Sequence, residues 1–242
     1  MKKKLSKKNT EMTSMIAHEL RSPIGSIRAA ASLLAEGAYG KLPRQAKETA
    51  LLIQNSADRL LSQAEGYLQV MRLASNAYEV QVEPYDIKDL LKKMFDEWIP
   101  QFKLKQIKLK SELKNLPDTV EIDQSVLAHI VYNLLDNAVK YTESGSVSIK
   151  VEWKDSQLII TVSDTGEGMS RATIAELFRH PMKRKKKVKT DGRGMGLGLY
   201  IVGKLLKAAK GSITAKSKGK SKGSTFIVHL PARKVDATRT GK

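Results

Sequence analysis

The chemistry-bearing residues of this chain fall in four short segments. The first is His18-Glu19-Leu20-Arg21-Ser22-Pro23. The apolar positions around it, Ile16, Leu20, Ile24 and Ile27, recur at helical spacing. Two residues span about 200° of a helix, so His18 falls opposite that stripe and is predicted to be exposed. Pro23 cannot donate to the carbonyl of Glu19, which predicts a loosened turn beside the imidazole. An exposed imidazole can attack an electrophilic centre through one ring nitrogen while the Glu19 carboxylate accepts a proton from the other. A histidine on a helix surface is ordinarily just a surface residue, and it is the whole string that distinguishes this one.

The second segment is Asn133-Leu-Leu-Asp-Asn137-Ala-Val-Lys140-Tyr141. Asn133, Asn137, Lys140 and Tyr141 are spaced four, three and one, which sets them on one side of a helix. Amide oxygens suit a hard cation such as Mg²⁺ that also bridges to phosphates. A lysine suits phosphate charge, and a tyrosine can stack on a base. The third is Asp164-Thr-Gly166-Glu-Gly168-Met169, in which a carboxylate at a strand end can accept from an exocyclic amine and the glycines admit close backbone approach. The fourth is Gly192-Arg193-Gly194-Met195-Gly196-Leu197-Gly198, a glycine-rich approach to a helix N-terminus and hence a potential anion cradle. It lacks both a preceding strand and a Gly-Lys-Ser/Thr ending, so it fits neither the dinucleotide fingerprint nor the P-loop.

In this order and spacing the segments resemble the H, N, G1 and G2 boxes of sensor histidine kinases, and Leu177-Phe178 resembles their F box. The resemblance covers about residues 10 to 231. It implies that His18 is the phosphoacceptor, with Glu19 as its acid/base partner. Ser22 fills the slot that in the family supports phosphatase action, where Thr or Asn is more usual. The resemblance further implies ATP and Mg²⁺ as cofactors, with Asn137 on the metal, Asn133 supporting it, Lys140 at the phosphates and Tyr141 beside the nucleotide. Asp164 would take the adenine amine, with Gly166 and Gly168 shaping the pocket. Gly194, Gly196 and Gly198 would anchor a lid, and Arg193 would stabilise developing charge. Met169, Phe178, Met195, Leu197 and Thr225 complete the expected nucleotide contacts. The implied partners are a second copy of the chain and a response-regulator receiver domain with an acceptor aspartate.

These segments need elements to hold them. Ile16, Leu20, Ile24, Ile27, Ala31 and Leu34, then Ile53, Ala57, Leu60, Ala64, Tyr67 and Met71, form two heptad-like stripes separated by Gly37–Pro43. They predict a helical hairpin over 10–76 that pairs with a second copy into a four-helix bundle, behind a basic lead-in at 1–9. From 77 to 231 helices and strands mix without regular βαβ alternation, which predicts an α+β domain. Its expected strands include Val80–Val82, Ile107–Leu113 and Val120–Ile122. The hairpins Val147–Val151/Leu158–Val162 and Ile213–Lys216/Thr225–Leu230 complete the set. Helices are expected over Asp86–Gln106, with Asp86 as cap, Asp123–Tyr141, Ile174–Phe178 and from about 197 to 209. By the resemblance this domain is a two-layer Bergerat-type ATP-binding sandwich, and residues 232–242 are expected to be a disordered tail.

The 242 residues carry 43 Lys and Arg against 25 Asp and Glu, a net charge of +18, and no Cys. The absence of cysteine excludes a disulfide framework and a thiol nucleophile. The charge implies an anionic partner or solvated basic segments, of which Lys183–Lys189, within the expected lid, is the densest. No segment approaches the ~20 apolar residues of a membrane helix, so these residues are predicted to be soluble and cytoplasmic, with any membrane anchor or sensor outside them. Two other readings stand beside the kinase. A hydrolytic ATPase of the same superfamily would place a general-base Glu where Asn133 stands. A nucleic-acid binder would explain the charge but lacks interleaved aromatics and any recognised DNA-binding motif, so no specific nucleic-acid partner is expected.

Overall fold

A computed structural model describes residues 21–54, 56–57, 60–61, 80–179 and 197–235. His18, Glu19, Arg193, Gly194, Met195, Gly196, the basic run 183–189 and the stripe positions Ile16, Leu20, Ala64, Tyr67 and Met71 lie outside the described residues. The chain divides into two units, Met1–Tyr78 and Glu79–Lys242.

In the first unit α1 (21–36) and α2 (helical in its described residues from 44 to 61) form the expected hairpin. The C-terminus of α1 is closed by Gly37 N–H to Leu34 O at 3.2 Å and Ala38 N–H to Leu33 O at 3.0 Å, a Schellman arrangement. The seam between the helices is made by small side chains. Ala31, Ala35, Ala50 and Ala57 are buried, while Ile27, Leu34, Leu52, Ile53 and Leu60 stay exposed. The heptad stripe is therefore split. Its alanines pack within one hairpin, and its large aliphatic residues point away from that seam. Gln54 Nε2 donates to Ser32 Oγ across the hairpin at 3.3 Å.

The second unit is an α/β sandwich. A five-stranded sheet runs β2-β4-β5-β7-β6, and a three-stranded sheet runs β1-β3-β8. The strands are β1 (Glu83–Asp86), β2 (Lys108–Lys114), β3 (Thr119–Ile122), β4 (Ser146–Lys154), β5 (Gln157–Asp164), β6 (Ser212–Lys216), β7 (Ser224–Pro231) and β8 (Arg233–Lys234). Among the described strands only β2 and β4 pair in parallel; the other pairings are antiparallel. The helices are α3 (Ile87–Asp96), α4 (Ile99–Leu104), α5 (Gln124–Tyr141), α6 (Arg171–Glu176) and α7 (Gly198–Ala208). α5 packs on α7 and β5, and α7 on β6. Val147, Ile149 and Val151 of β4, Leu158, Ile160 and Val162 of β5, and Leu127, Ile130, Leu134 and Leu135 of α5 are buried between sheet and helices. At about 25 cal/mol per Å² of apolar surface, this layer is the main stabilising term of the unit.

Several boundaries differ from expectation, each for a local reason. The first strand is Glu83–Asp86, not Val80–Val82, because Gln81 N–H donates to the Asp123 side chain at 2.9 Å instead of a strand ladder. Pro84 is tolerated because β1 is an edge strand. Asp86 does cap α3, accepting from Lys88 N and Asp89 N, but the helix expected to reach Gln106 breaks at Glu97–Trp98 and restarts as α4 with Pro100 in its first turn. α6 starts at Arg171, not Ile174, because Ser170 Oγ caps it from Thr173 N at 3.1 Å; it ends at Glu176, leaving Phe178 in the turn beyond. The tail expected from residue 232 instead opens with β8, held on β3 by a two-pronged Arg233–Glu121 pair at 2.7 Å per bond. Asp155 and Ser156 both have positive φ, 51° and 57°, as a two-residue type I′ turn between β4 and β5 requires.

Candidate functional site

α5 is the spine of the site. Asp123 sets its start: Oδ1 accepts from Val126 N at 3.0 Å and Oδ2 from Gln81 N at 2.9 Å, so this buried carboxylate uses both oxygens. The apolar face of α5 is driven into the sheet, which turns Asn133, Asn137, Lys140 and Tyr141 outward. Asn133 donates from Nδ2 to His129 O at 2.8 Å. Lys140 is paired with Asp136 one turn back. The Asn137 amide bonds no other described residue, and its oxygen is therefore available to a ligand. Among the described residues no cluster of three or more His, Asp or Glu could hold a metal, so a hard cation here would rely on this amide, on phosphate oxygens and on water.

Two other segments converge on α5. Gly166 lies against its C-terminal end, where Glu167 N–H donates to Tyr141 O at 3.0 Å. A Cβ at Gly166 would collide with that carbonyl oxygen and stand 2.8 Å from its carbon, so only glycine lets the loop close there. Gly198, the first residue of α7, lies against the middle of α5. A Cβ on it would strike Asn133 Oδ1 and lie 3.3 Å from Asn133 Cγ. Asn133 is thus committed to a helix–helix contact.

Asp164 ends β5. Its Oδ1 accepts from Gly166 N at 2.9 Å and from Ser224 N at 3.1 Å, which aims Oδ2 away from these backbone donors. Burial pushes its carboxyl above the ordinary aspartate value, while the two backbone N–H groups pull against that shift.

Further expected contacts are placed differently. Thr225 pairs with Ser163, their hydroxyls 3.0 Å apart, whereas Ser224 pairs with Asp164. Strand alternation therefore puts Thr225 on the opposite sheet face from Asp164, and the expectation of a nucleotide contact is corrected. Leu197 is buried, so its side chain belongs to the core. Phe178 stands beside Gly203 of α7, its Cβ 3.8 Å from where a Cβ on that glycine would lie. Ser22 is exposed near the start of the described part of α1, its carbonyl accepting from Ser26 Oγ at 3.1 Å.

The sequence predicts the β6–β7 hairpin but not the part its turn over 217–223 plays at the site. Ser221 N donates to Glu167 O at 2.6 Å, Gly223 N to Gly166 O at 3.0 Å and Met169 N to Ser217 Oγ at 2.9 Å. The turn braces the whole Asp164–Met169 loop. The alternation of Gly and Ser with Lys in Ser217-Lys-Gly-Lys-Ser-Lys-Gly223 was its only signal.

With this geometry in place, likeness to known proteins decides the family. Residues 8–76 match the His Kinase A (phospho-acceptor) domain, and residues 122–234 match the histidine kinase-, DNA gyrase B-, and HSP90-like ATPase family. The chain belongs to the histidine kinases. Its second unit is an ATP-binding domain of that family, whose match ends at residue 234, where β8 ends. The chain is 29% identical to the autoinducer 2 sensor kinase/phosphatase LuxQ of Vibrio parahaemolyticus over 90% of its own length and 26% of that protein. It is likewise 29% identical to the sensor histidine kinase WalK of Bacillus subtilis over 94% of its length and 37% of that protein. The chain thus spans well under half of either relative. Full-length ShkA in complex with AMPPNP superposes with a TM-score of 0.73 at 29% identity, covering 94% of this chain and 47% of that one. The Acinetobacter baumannii histidine kinase AdeS shares the fold at a TM-score of 0.60 and 22% identity, over 88% of this chain and 97% of that one. Among the described residues no helix of this histidine kinase is long and apolar enough to cross a membrane.

Proposed function

We propose that this chain is the dimerisation, phosphoacceptor and catalytic core of an ATP-dependent protein-histidine autokinase in a two-component system. The observation that carries the reading is the convergence of the Asp164 loop and the N-terminus of α7 on the polar face of α5, where the Asn137 amide stays uncommitted. ATP is the nucleotide that this face takes. Asp164 receives the adenine amine through Oδ2. Asn133 supports the site by seating α7.

One imidazole nitrogen of His18 attacks the γ-phosphorus in line. The P–N bond forms as the bond to the β–γ bridging oxygen breaks and ADP leaves. Glu19 takes the proton from the other ring nitrogen. Lys140, exchanging Asp136 for phosphate, and Arg193 stabilise the developing charge. Mg²⁺, held through Asn137, would neutralise phosphate charge.

The outward aliphatics Ile27, Leu52, Ile53 and Leu60 line an open groove of about 270 Å³ on the hairpin. An apolar surface of this kind marks an association site, and a second copy covering it completes the bundle. The phosphohistidine then donates to an aspartate of a receiver domain, and Ser22 serves the reverse, phosphatase reaction on that partner. The expected location is the cytoplasm.

Incubation with γ-labelled ATP and Mg²⁺ tests the reading. Acid-labile, alkali-stable label on the wild type, absent from His18→Gln and Asn137→Ala, is the expected result. Steady hydrolysis without a phosphoprotein would instead select the ATPase reading, which Asn133 at the general-base position disfavours.

A further inference from the structure

From Gly192 to Val235 the chain contains no Asp or Glu. Six lysines of this stretch lie exposed on α7, just beyond it and in the β6–β7 turn. Lys204, Lys207 and Lys210 are exposed on and just beyond α7, whose Ile201, Val202, Leu205 and Leu206 are buried towards the sheet. α7 packs on β6, an edge strand. Lys218, Lys220 and Lys222 follow β6 in the turn, all exposed, whereas Lys216, paired with Thr225, lies on the sheet face away from α7. Among the described residues none of these lysines belongs to an ion pair; Lys204 lies over the Tyr200 ring, 5.5 Å from its centroid.

The turn is fixed. Ser217 Oγ accepts from Met169 N at 2.9 Å and donates to Gly223 O at 2.7 Å, and Ser221 N donates to Glu167 O at 2.6 Å. The turn lysines are therefore presented from an ordered backbone whose other side braces the nucleotide loop.

The chemistry narrows the partner. Every charge in this patch is lysine, a strongly hydrated point charge without the planar fork that reads carboxylates, guanines or single phosphates in pairs. Between the turn lysines stand only Gly and Ser, which offer neither an apolar anchor for a protein interface nor a ring for base stacking. The charges spread over a helix face and a turn, an area rather than the line a polynucleotide backbone follows. We propose that this lysine face is a docking surface for an anionic phospholipid bilayer, held by diffuse electrostatics without insertion.

The test uses the whole chain and vesicles of mixed phosphatidylglycerol and phosphatidylcholine at physiological salt, with pure phosphatidylcholine vesicles as blank. The variant Lys207→Gln/Lys210→Gln/Lys218→Gln/Lys220→Gln is compared with Lys103→Gln/Lys108→Gln/Lys110→Gln/Lys114→Gln, which removes the same charge around β2 at the opposite sheet edge. The expected result is a loss of about 100-fold in vesicle affinity for the first variant and little for the second. Equal losses in both, or wild type that ignores the anionic vesicles, would overturn the proposal. Tighter binding of a DNA duplex than of vesicles, lost in the same variant, would overturn it in favour of a nucleic-acid face. Fluorescent-nucleotide affinity, expected unchanged, reports that the domain is folded; were it lost, Lys204→Gln/Lys207→Gln/Lys210→Gln, which leaves the turn intact, carries the comparison.

Discussion

The side-chain oxygen of Asn133 fills the space where a Cβ of Gly198 would stand, so the nucleotide face of α5 and the N-terminus of α7 meet through an amide against a bare α-carbon. Gly198→Ala forces one of them aside. Overpacking of this kind costs roughly 1–3 kcal/mol. ATP affinity is expected to fall about tenfold for each ~1.4 kcal/mol that reaches the site. Asn133→Ala in the same chain removes the clash, so the double variant should bind nucleotide better than Gly198→Ala alone. A fluorescent-nucleotide titration of the four proteins checks this; strictly additive losses would contradict it.

Gly166→Ala meets backbone, which cannot swing away. A loss of roughly 1–3 kcal/mol of stability is expected, lowering Tm by about 2–4 °C per kcal/mol for a domain of this size. Calorimetry on the wild type and the variant measures it.

The Asp164 carboxyl is raised from its ordinary 3.8 chiefly by burial. Its contribution to stability is therefore present below the unfolded-chain value and is lost as pH rises through the folded one. Adenine binding needs the ionised form and should show the opposite trend, weakening on acidification from a pH above 3.8. Asp164→Asn is expected to keep the fold, because an amide oxygen can still accept from Gly166 and Ser224, while losing on the order of 100-fold in ATP affinity through a misplaced donor. Nucleotide titration across pH, with circular dichroism on the same samples, separates the two effects.

Asp123 accepts two backbone N–H groups from inside the fold, one at the start of α5 and one from Gln81. Asp123→Ala leaves both unsatisfied and is expected to cost about 2–4 kcal/mol in urea unfolding. Asp123→Asn, which keeps one acceptor oxygen, should recover roughly half.

Leu52 is 63% exposed in the single hairpin. Leu52→Lys should leave helix content unchanged while shifting the chain from dimer to monomer in light scattering. A Leu52→Lys chain that stays dimeric would show that the groove is not the dimer interface.

Sequence alone determined the helical hairpin, the motif order and the polar face of α5, because these depend on local spacing: 3.6-residue periodicity, capping aspartates and glycine punctuation all act within a few turns. Even there it is packing that divides the stripes between buried alanines and outward leucines and isoleucines. Long-range pairing decided the rest. Pro84 and Pro100 disguised an edge strand and a helix break, and Arg233–Lys234 became a strand only because Glu121 and β3 lay waiting for it. Thr225 and Ser224 differ by one residue, yet the register of β7 on β5 sends them to opposite faces. The brace of turn 217–223 on the Asp164 loop joins residues some fifty positions apart. No local rule could announce it, because its hydrogen bonds exist only once β5, β6 and β7 lie side by side.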